Sequence, residues 1–174
     1  MLTTIAIIVV VLIAAFLGVA ASRSDTFRVQ RSTSINAPPA KIFPYINDFH
    51  KWESWSPYEK LDPAMKKTYS GASSGNGAVY EWSGNNKAGQ GRMEITNSAP
   101  EKIQIKLDFF KPFRANNLAE FALEPRGGTT YVTWSIDGPR PFVAKAMSVF
   151  INMDRLVGKD FEVGLANLKR LAEP

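Results

Sequence analysis

The 174-residue chain has room for one domain of ordinary size plus an appendage, and 45% hydrophobic with 21% charged residues excludes wholesale disorder. The formal charge of +5 lies entirely after residue 22. It suits an anionic membrane surface at least as well as nucleic acid; without a run of five like charges or a patterned basic helix, no nucleic-acid partner is expected. The absence of cysteine excludes disulfides, thiolate metal sites and cysteine nucleophiles.

Residues 1–21, MLTTIAIIVVVLIAAFLGVAA, carry no charged side chain. About 20 helical residues at 1.5 Å rise match the roughly 30 Å of a bilayer's hydrocarbon core. We read residues 1–22 as a transmembrane segment, 23–25 as a short linker and 26–172 as a folded domain. A cleaved signal peptide is the alternative, with Val19-Ala20-Ala21 as a small-residue cleavage site. Against it stand the missing basic n-region and an apolar run longer than the usual 7–15 residues. Arg23, Arg28 and Arg31 follow the segment and no charged side chain precedes it, which orients the domain to the cytoplasm; cleavage would leave a secreted or periplasmic domain. Residues Ser22 to Asp25, fully extended, reach only roughly 14 Å, so a retained anchor holds the domain against the bilayer.

Residues 26–37 alternate, with Phe27, Val29, Thr33 and Ile35 on one side and Arg28, Gln30, Ser32 and Ser34 on the other, as a half-buried strand does. Arg31 falls on the apolar side; near a strand end its long side chain would reach solvent, and inside a cavity it would meet an anionic head group. Ala37-Pro38-Pro39 opens a short helix. The stretch DFHKWESWSPYEKLDP, residues 48–63, follows as a second short helix and loop. From 65 to 138 six short strands alternate with turn signals, as in an antiparallel meander. The inward candidates are Met93, Ile95, Ile103, Ile105, Leu107, Phe109, Phe121, Leu123, Val132, Trp134 and Ile136. Residues 142–172 carry apolar side chains every three or four positions and are expected to form one long helix of roughly 45 Å lying across the sheet. Gly158 and Gly164 inside it each cost about 1 kcal/mol against alanine, which signals a bend, close packing or room for a ligand.

Strand, two short helices, six-stranded meander and long C-terminal helix is the helix-grip order. The sequence resembles the polyketide cyclase/dehydrase branch of the START-related, birch-pollen-allergen-like (SRPBCC) superfamily. The residues carrying the resemblance are Trp52-Glu53-Ser54-Trp55-Ser56-Pro57-Tyr58, Asp62-Pro63, Tyr80-Glu81-Trp82-Ser83-Gly84 and Gly89-Gln90-Gly91. They continue with Phe110-Lys111-Pro112-Phe113, Gly128-Thr129-Thr130 through Trp134, and Met153 to Glu162. The resemblance implies an α+β fold: a curved antiparallel sheet of about seven strands wrapped around a long C-terminal helix, with an apolar cavity between them. Members bind sterols, lipids, polyketides, quinones or hormones, and some catalyse cyclisation or aromatic hydroxylation. The N-terminal apolar segment departs from that soluble pattern.

Within that frame Trp52, Trp55 and Tyr58 either rim the cavity or anchor two short helices to the sheet, and the anchor is the commoner role of such aromatics. Trp82, Phe109 and Trp134 on strands and Met147, Phe150 and Met153 on the helix complete the expected ligand-binding set, although a stripe at helical spacing is first a core stripe. His50, the one histidine, sits in a polar loop and reads as surface. Glu81, Glu94 and Glu120 point outward by register, and Asp154, Asp160 and Glu162 read as solvated helix charges. No zinc spacing, nucleophile elbow, phosphate loop or dinucleotide fingerprint occurs, so no catalytic residue, metal or cofactor is assigned. Three readings stand: a membrane-anchored binder of a hydrophobic small molecule, a cyclase/dehydrase-type enzyme using the same cavity, and a ligand-free interaction module at the membrane.

Overall fold

The computed structural model describes residues 1–173. An apolar helix α1 (Leu2–Ala21) leads into strand β1 (Thr26–Ile35), helix α2 (Pro39–Ile46) and two short 3-10 turns (Phe49–Ser54 and Pro57–Lys60). Six strands follow: β2 (Lys66–Gly71), β3 (Ala78–Ser83), β4 (Gln90–Ala99), β5 (Lys102–Lys111), β6 (Ala115–Arg126) and β7 (Thr129–Pro139). Helices α3 (Phe142–Met147) and α4 (Met153–Ala172) close the chain.

The strands form one antiparallel sheet in the order β1-β7-β6-β5-β4-β3-β2. The alternation of β1 is realised in its pairing, since Val29 faces Ile136 and Arg31 faces Trp134 across the β1/β7 ladder. Most of the expected inward positions are buried, with Ile95, Ile103, Ile105, Phe121, Leu123 and Val132 wholly so. Glu94 and Glu120 lie on the opposite face and pair with Arg92 and Lys102. The fold is α+β and of the helix-grip type, with α4 running beside β1. Arg31 reaches Asp154 and Glu162, the Lys169 ammonium donates to the Ser34 carbonyl, and the Glu173 carboxylate accepts from the Asn36 N–H.

The C-terminal stretch differs from the single helix that periodicity predicts. It breaks at 148–152, where the Asn152 side chain accepts the N–H of Arg155 at 2.9 Å and caps a new helix. Asp154 in its first turn complements the positive end of the helix dipole. A repeat of threes and fours runs through such a break without registering it; Asn followed by Asp two residues on was the visible start signal.

The two helix glycines mark close packing. A Cβ on Gly158 would lie on the Arg31 guanidinium, and one on Gly164 would stand 2.8 Å from the Trp134 ring. Arg31 therefore does not run out to solvent from a strand end. It folds over α4, its Nε 2.7 Å from Glu162 and its Nη1 3.0 Å from Asp154. Asp154 and Glu162 stay largely exposed, yet both are tied to this one cation.

Pairing also sets which segments share an end of the sheet. Thr26 pairs with Pro139, Leu118 with Asp137, Ala115 with Phe109, Lys111 with Gln90 and Ser83 with Lys66. The start of β1, the end of β7, the β5–β6 hairpin tip and the β3–β4 turn therefore lie together, at the end where α1 joins.

Candidate functional site

The concave face of the sheet divides into two parts. In one, Trp134 on β7 is the hub: it stacks on Phe161 of α4 at 4.0 Å and on Phe121 of β6 at 5.0 Å. Trp55 meets it edge-on at 5.4 Å, with Trp52 and Tyr58 just beyond. Both loop tryptophans satisfy their indole N–H groups, Trp52 on the Ile46 carbonyl at 2.9 Å and Trp55 on the Tyr45 carbonyl at 3.0 Å. The side chain of Trp55 is 0% exposed, and Trp52 and Trp134 are nearly so. These aromatics fill the space between sheet and helix, because each offers a large flat surface and pairs edge-to-face or offset with its neighbours.

The other part lies at the α1 end of the sheet. Here an aromatic ladder crosses β2 and β3: His50 on Tyr69 at 4.1 Å, Tyr69 on Tyr80 at 5.2 Å, Tyr80 on Trp82 at 6.0 Å. Phe109 of β5 then meets Trp82 edge-on at 5.6 Å. Trp82 lies across Gly91 and donates its indole N–H to the Ala88 carbonyl at 2.9 Å. Phe27, Trp82, Leu107, Phe109 and Val157 remain half-buried. Helix α4 starts only at Met153, and α3 is drawn towards α1 by the stack of Phe16 on Phe150 and the ion pair of Lys145 with Asp25.

Polar groups border this part. Glu59 is almost wholly buried; it accepts the Tyr80 hydroxyl at 2.9 Å and lies 2.7 Å from the Lys67 ammonium. The Lys67 contact is an ion pair by distance, without the angles of a directed hydrogen bond. Burial, then the Glu59 charge and hydrogen bond, push the Tyr80 phenol far above its ordinary range, so it stays a donor. Burial alone would lower Lys67, but contact with Glu59 outweighs it and the ammonium is held charged. This is a settled ion pair with a hydroxyl on it; no nucleophile is poised on a base. On β6, Asn117 is buried with its Oδ1 unpartnered and lying over Gly138.

Asp160, expected to be a solvated charge, stands beside Tyr58. Burial raises its carboxyl above the ordinary 3.8, and burial followed by the Asp160 charge raises the Tyr58 phenol. Because the folded chain then holds the Asp160 proton more tightly than the unfolded chain, stability falls as pH rises from the ordinary value through the raised one. The penalty is fully present at neutral pH. Asp160→Asn is expected to raise the melting temperature at pH 7 by about 1–2 °C and to lose that advantage below about pH 3.5, as thermal unfolding across pH will test.

Of the expected ligand-binding residues, the fold gathers Trp52, Trp55, Tyr58 and Trp134 into the packed part and Trp82 and Phe109 into the half-open part. Met147, Phe150 and Met153 lie apart from both, exposed on α3, the break and the start of α4. His50 ends the aromatic ladder, with its Nδ1 3.0 Å from Asp48. Sequence reasoning did not single out Glu59, Lys67 or Asn117. The inward register of β2 and β6 was the signal for Lys67 and Asn117, while nothing local marked Glu59.

This architecture, a curved sheet closing on a C-terminal helix through an aromatic core, is that of the SRPBCC class. Ginseng major latex-like protein 151 from Panax ginseng superposes with a TM-score of 0.62 at 13% identity, over 87% of this chain and 100% of its own. The Aha1 dimer protein from Colwellia psychrerythraea gives 0.60 at 15%, over 84% and 96%. A protein from Nitrosospira multiformis gives 0.58 at 22%, over 84% and 96%. These likenesses establish the fold. No curated protein matches the sequence significantly. The model of the polyketide cyclase/dehydrase and lipid transport family matches residues 26–173, and the chain belongs to that family.

Proposed function

We propose that the domain takes a hydrophobic small molecule, a lipid, isoprenoid or polyketide-like chain, against the half-open part of its concave face. It does so as a single-pass membrane protein with the sheet on the cytoplasmic side. The observation that carries this reading is the pair Trp82 and Phe109, half-buried aromatics set edge-on at the sheet end where α1 joins. Covering such surface contributes about 25 cal/mol per Å². Family membership supports the ligand class. An apolar helix of 20 residues with mean hydropathy 3.0, followed by Arg23, Arg28 and Arg31, supports the anchor and its orientation.

A second reading, a ligand-free interaction module, is favoured by the dense packing around Trp134. The full chain, purified in detergent and extracted with organic solvent, separates them by mass spectrometry. We expect one stoichiometric lipid-like species, reduced at least about tenfold in Trp82→Ala/Phe109→Ala and retained in Met147→Ala. No bound species would move the assignment to the interaction module, and equal occupancy in all three proteins would overturn the placement of the ligand against Trp82 and Phe109. A cyclase/dehydrase activity would show instead as turnover of the extracted compound.

A further inference from the structure

Among the described residues, the sheet end that receives α1 keeps several large apolar side chains exposed. At the β5–β6 tip Phe113 is 68% exposed, with Phe110 beside it; after α3, Phe150 is 80% exposed, with Phe142, Val143 and Ile151 near it in sequence and also exposed. Lys111 and Arg114 flank Phe113, Lys87 occupies the adjoining β3–β4 turn, and Arg23 opens the tether next to the end of α1. Among the described residues none of these four cations is in an ion pair, while Asp25, the acid of the tether, is taken up by Lys145 at 2.5 Å. The face combines aromatic tips with free positive charge.

What such a face meets is set by α1. Phe150 stacks on Phe16 at 5.6 Å, and Phe16 lies five residues before the end of α1. At 1.5 Å per residue that is roughly 8 Å below the helix end. A 20-residue helix filling the hydrocarbon core therefore carries Phe150 about that far inside it, the depth at which interfacial segments settle. The tether cannot lift the domain away: Arg140 donates its N–H to the Asp25 carbonyl at 2.6 Å, pinning the linker to the end of the sheet.

We propose that this sheet end is a docking face for an anionic lipid bilayer, with Phe113 and Phe150 inserted beneath the headgroups and Lys111, Arg114, Lys87 and Arg23 against the lipid phosphates. The inference rests on the membrane-anchor half of the function proposed above and is independent of what the domain binds. It deepens that reading in one respect: the half-open concave face, at the same sheet end, then faces the bilayer, so a hydrophobic ligand passes between lipid and domain without crossing water.

The chain has no cysteine, so single introduced thiols report cleanly. The full chain is placed in lipid nanodiscs with a polarity-sensitive fluorophore at Phe113→Cys, Ile8→Cys or Ser73→Cys, Ser73 being exposed at the opposite end of the sheet. Lipid-borne nitroxides serve as quenchers. Expected are strong quenching at position 8, none at 73, and quenching at 113 in phosphatidylglycerol discs that weakens in phosphatidylcholine. Adding Lys111→Gln with Arg114→Gln should lower the docked-to-undocked ratio at position 113 roughly 30-fold. Adding Phe150→Ser should lower it about tenfold or more. All three altered residues are exposed, so folding is preserved. Quenching at 8 with position 113 behaving like 73 would overturn the docking face and leave the anchor standing. No quenching at 8 would overturn both, while the extraction experiment judges ligand binding separately. Equal quenching at 113 in neutral and anionic discs would overturn the part given to the cations.

Discussion

Trp134→Ala is expected to lower stability by about 3–5 kcal/mol, which in a domain of this size moves the melting temperature down by roughly 10–15 °C. The indole is nearly inaccessible and held between two rings, Phe161 at 4.0 Å and Phe121 at 5.0 Å, with Trp55 against its edge. Truncation removes these contacts and leaves a void that rigid aromatic neighbours fill poorly, so the cavity cost adds to the transfer cost. Met147→Ala, at a 43%-exposed position, should change stability by no more than about 0.5 kcal/mol. Thermal and urea unfolding of the detergent-solubilised full chain, followed by circular dichroism, compares the two. A loss below about 1 kcal/mol for Trp134→Ala would mean that this side chain lines a hollow rather than filling a core, and would return it to the ligand site.

Gly91→Ala should be nearly as damaging, for a different reason. An added Cβ would strike the Trp82 ring and stand 2.5 Å from the Asp108 main-chain carbonyl. The ring is held by its hydrogen bond to the Ala88 carbonyl, and the Asp108 carbonyl belongs to the paired neighbouring strand. Overpacking of this kind costs about 1–3 kcal/mol, at the upper end where backbone must move. A double-mutant cycle resolves the two obstacles. If the ring dominates, Gly91→Ala costs little in a Trp82→Ala background; if the strand does, the cost persists. We expect partial relief. No cost in either background would mean that Trp82 does not lie flat on the sheet, which would remove the platform proposed for the ligand.

Much of this was legible along the chain. Strand register is a property of period two, so Val29, Ile95, Ile105, Phe121 and Val132 announced their burial by alternation alone. The apolar segment announced helix α1 by length and lack of charge. Less legible was anything set by a non-local partner. Asp160 reads as a surface charge in the helical pattern, yet it is raised by burial beside Tyr58. Glu59 sits four residues past Trp55 in a proline-broken stretch, and only the folding of that stretch onto β2 and β3 brings Lys67 and the Tyr80 hydroxyl to it.

By itself the sequence determined the strands and their order, the inward faces of β1 and of β4 to β7, and the apolar N-terminal helix, because each follows from local periodicity, turn residues and hydropathy. The helix-grip class followed from that order together with the family resemblance. Tertiary structure decided the rest. It placed Trp52, Trp55 and Trp134 in closed packing while Trp82 and Phe109 stayed half-open, and set Arg31 over Gly158. It also parted α3 from α4 and brought Phe113 and Phe150 to the sheet end where α1 joins. These outcomes depend on which distant surfaces meet, and a side chain of given type is core, site or docking tip according to what the fold lays against it.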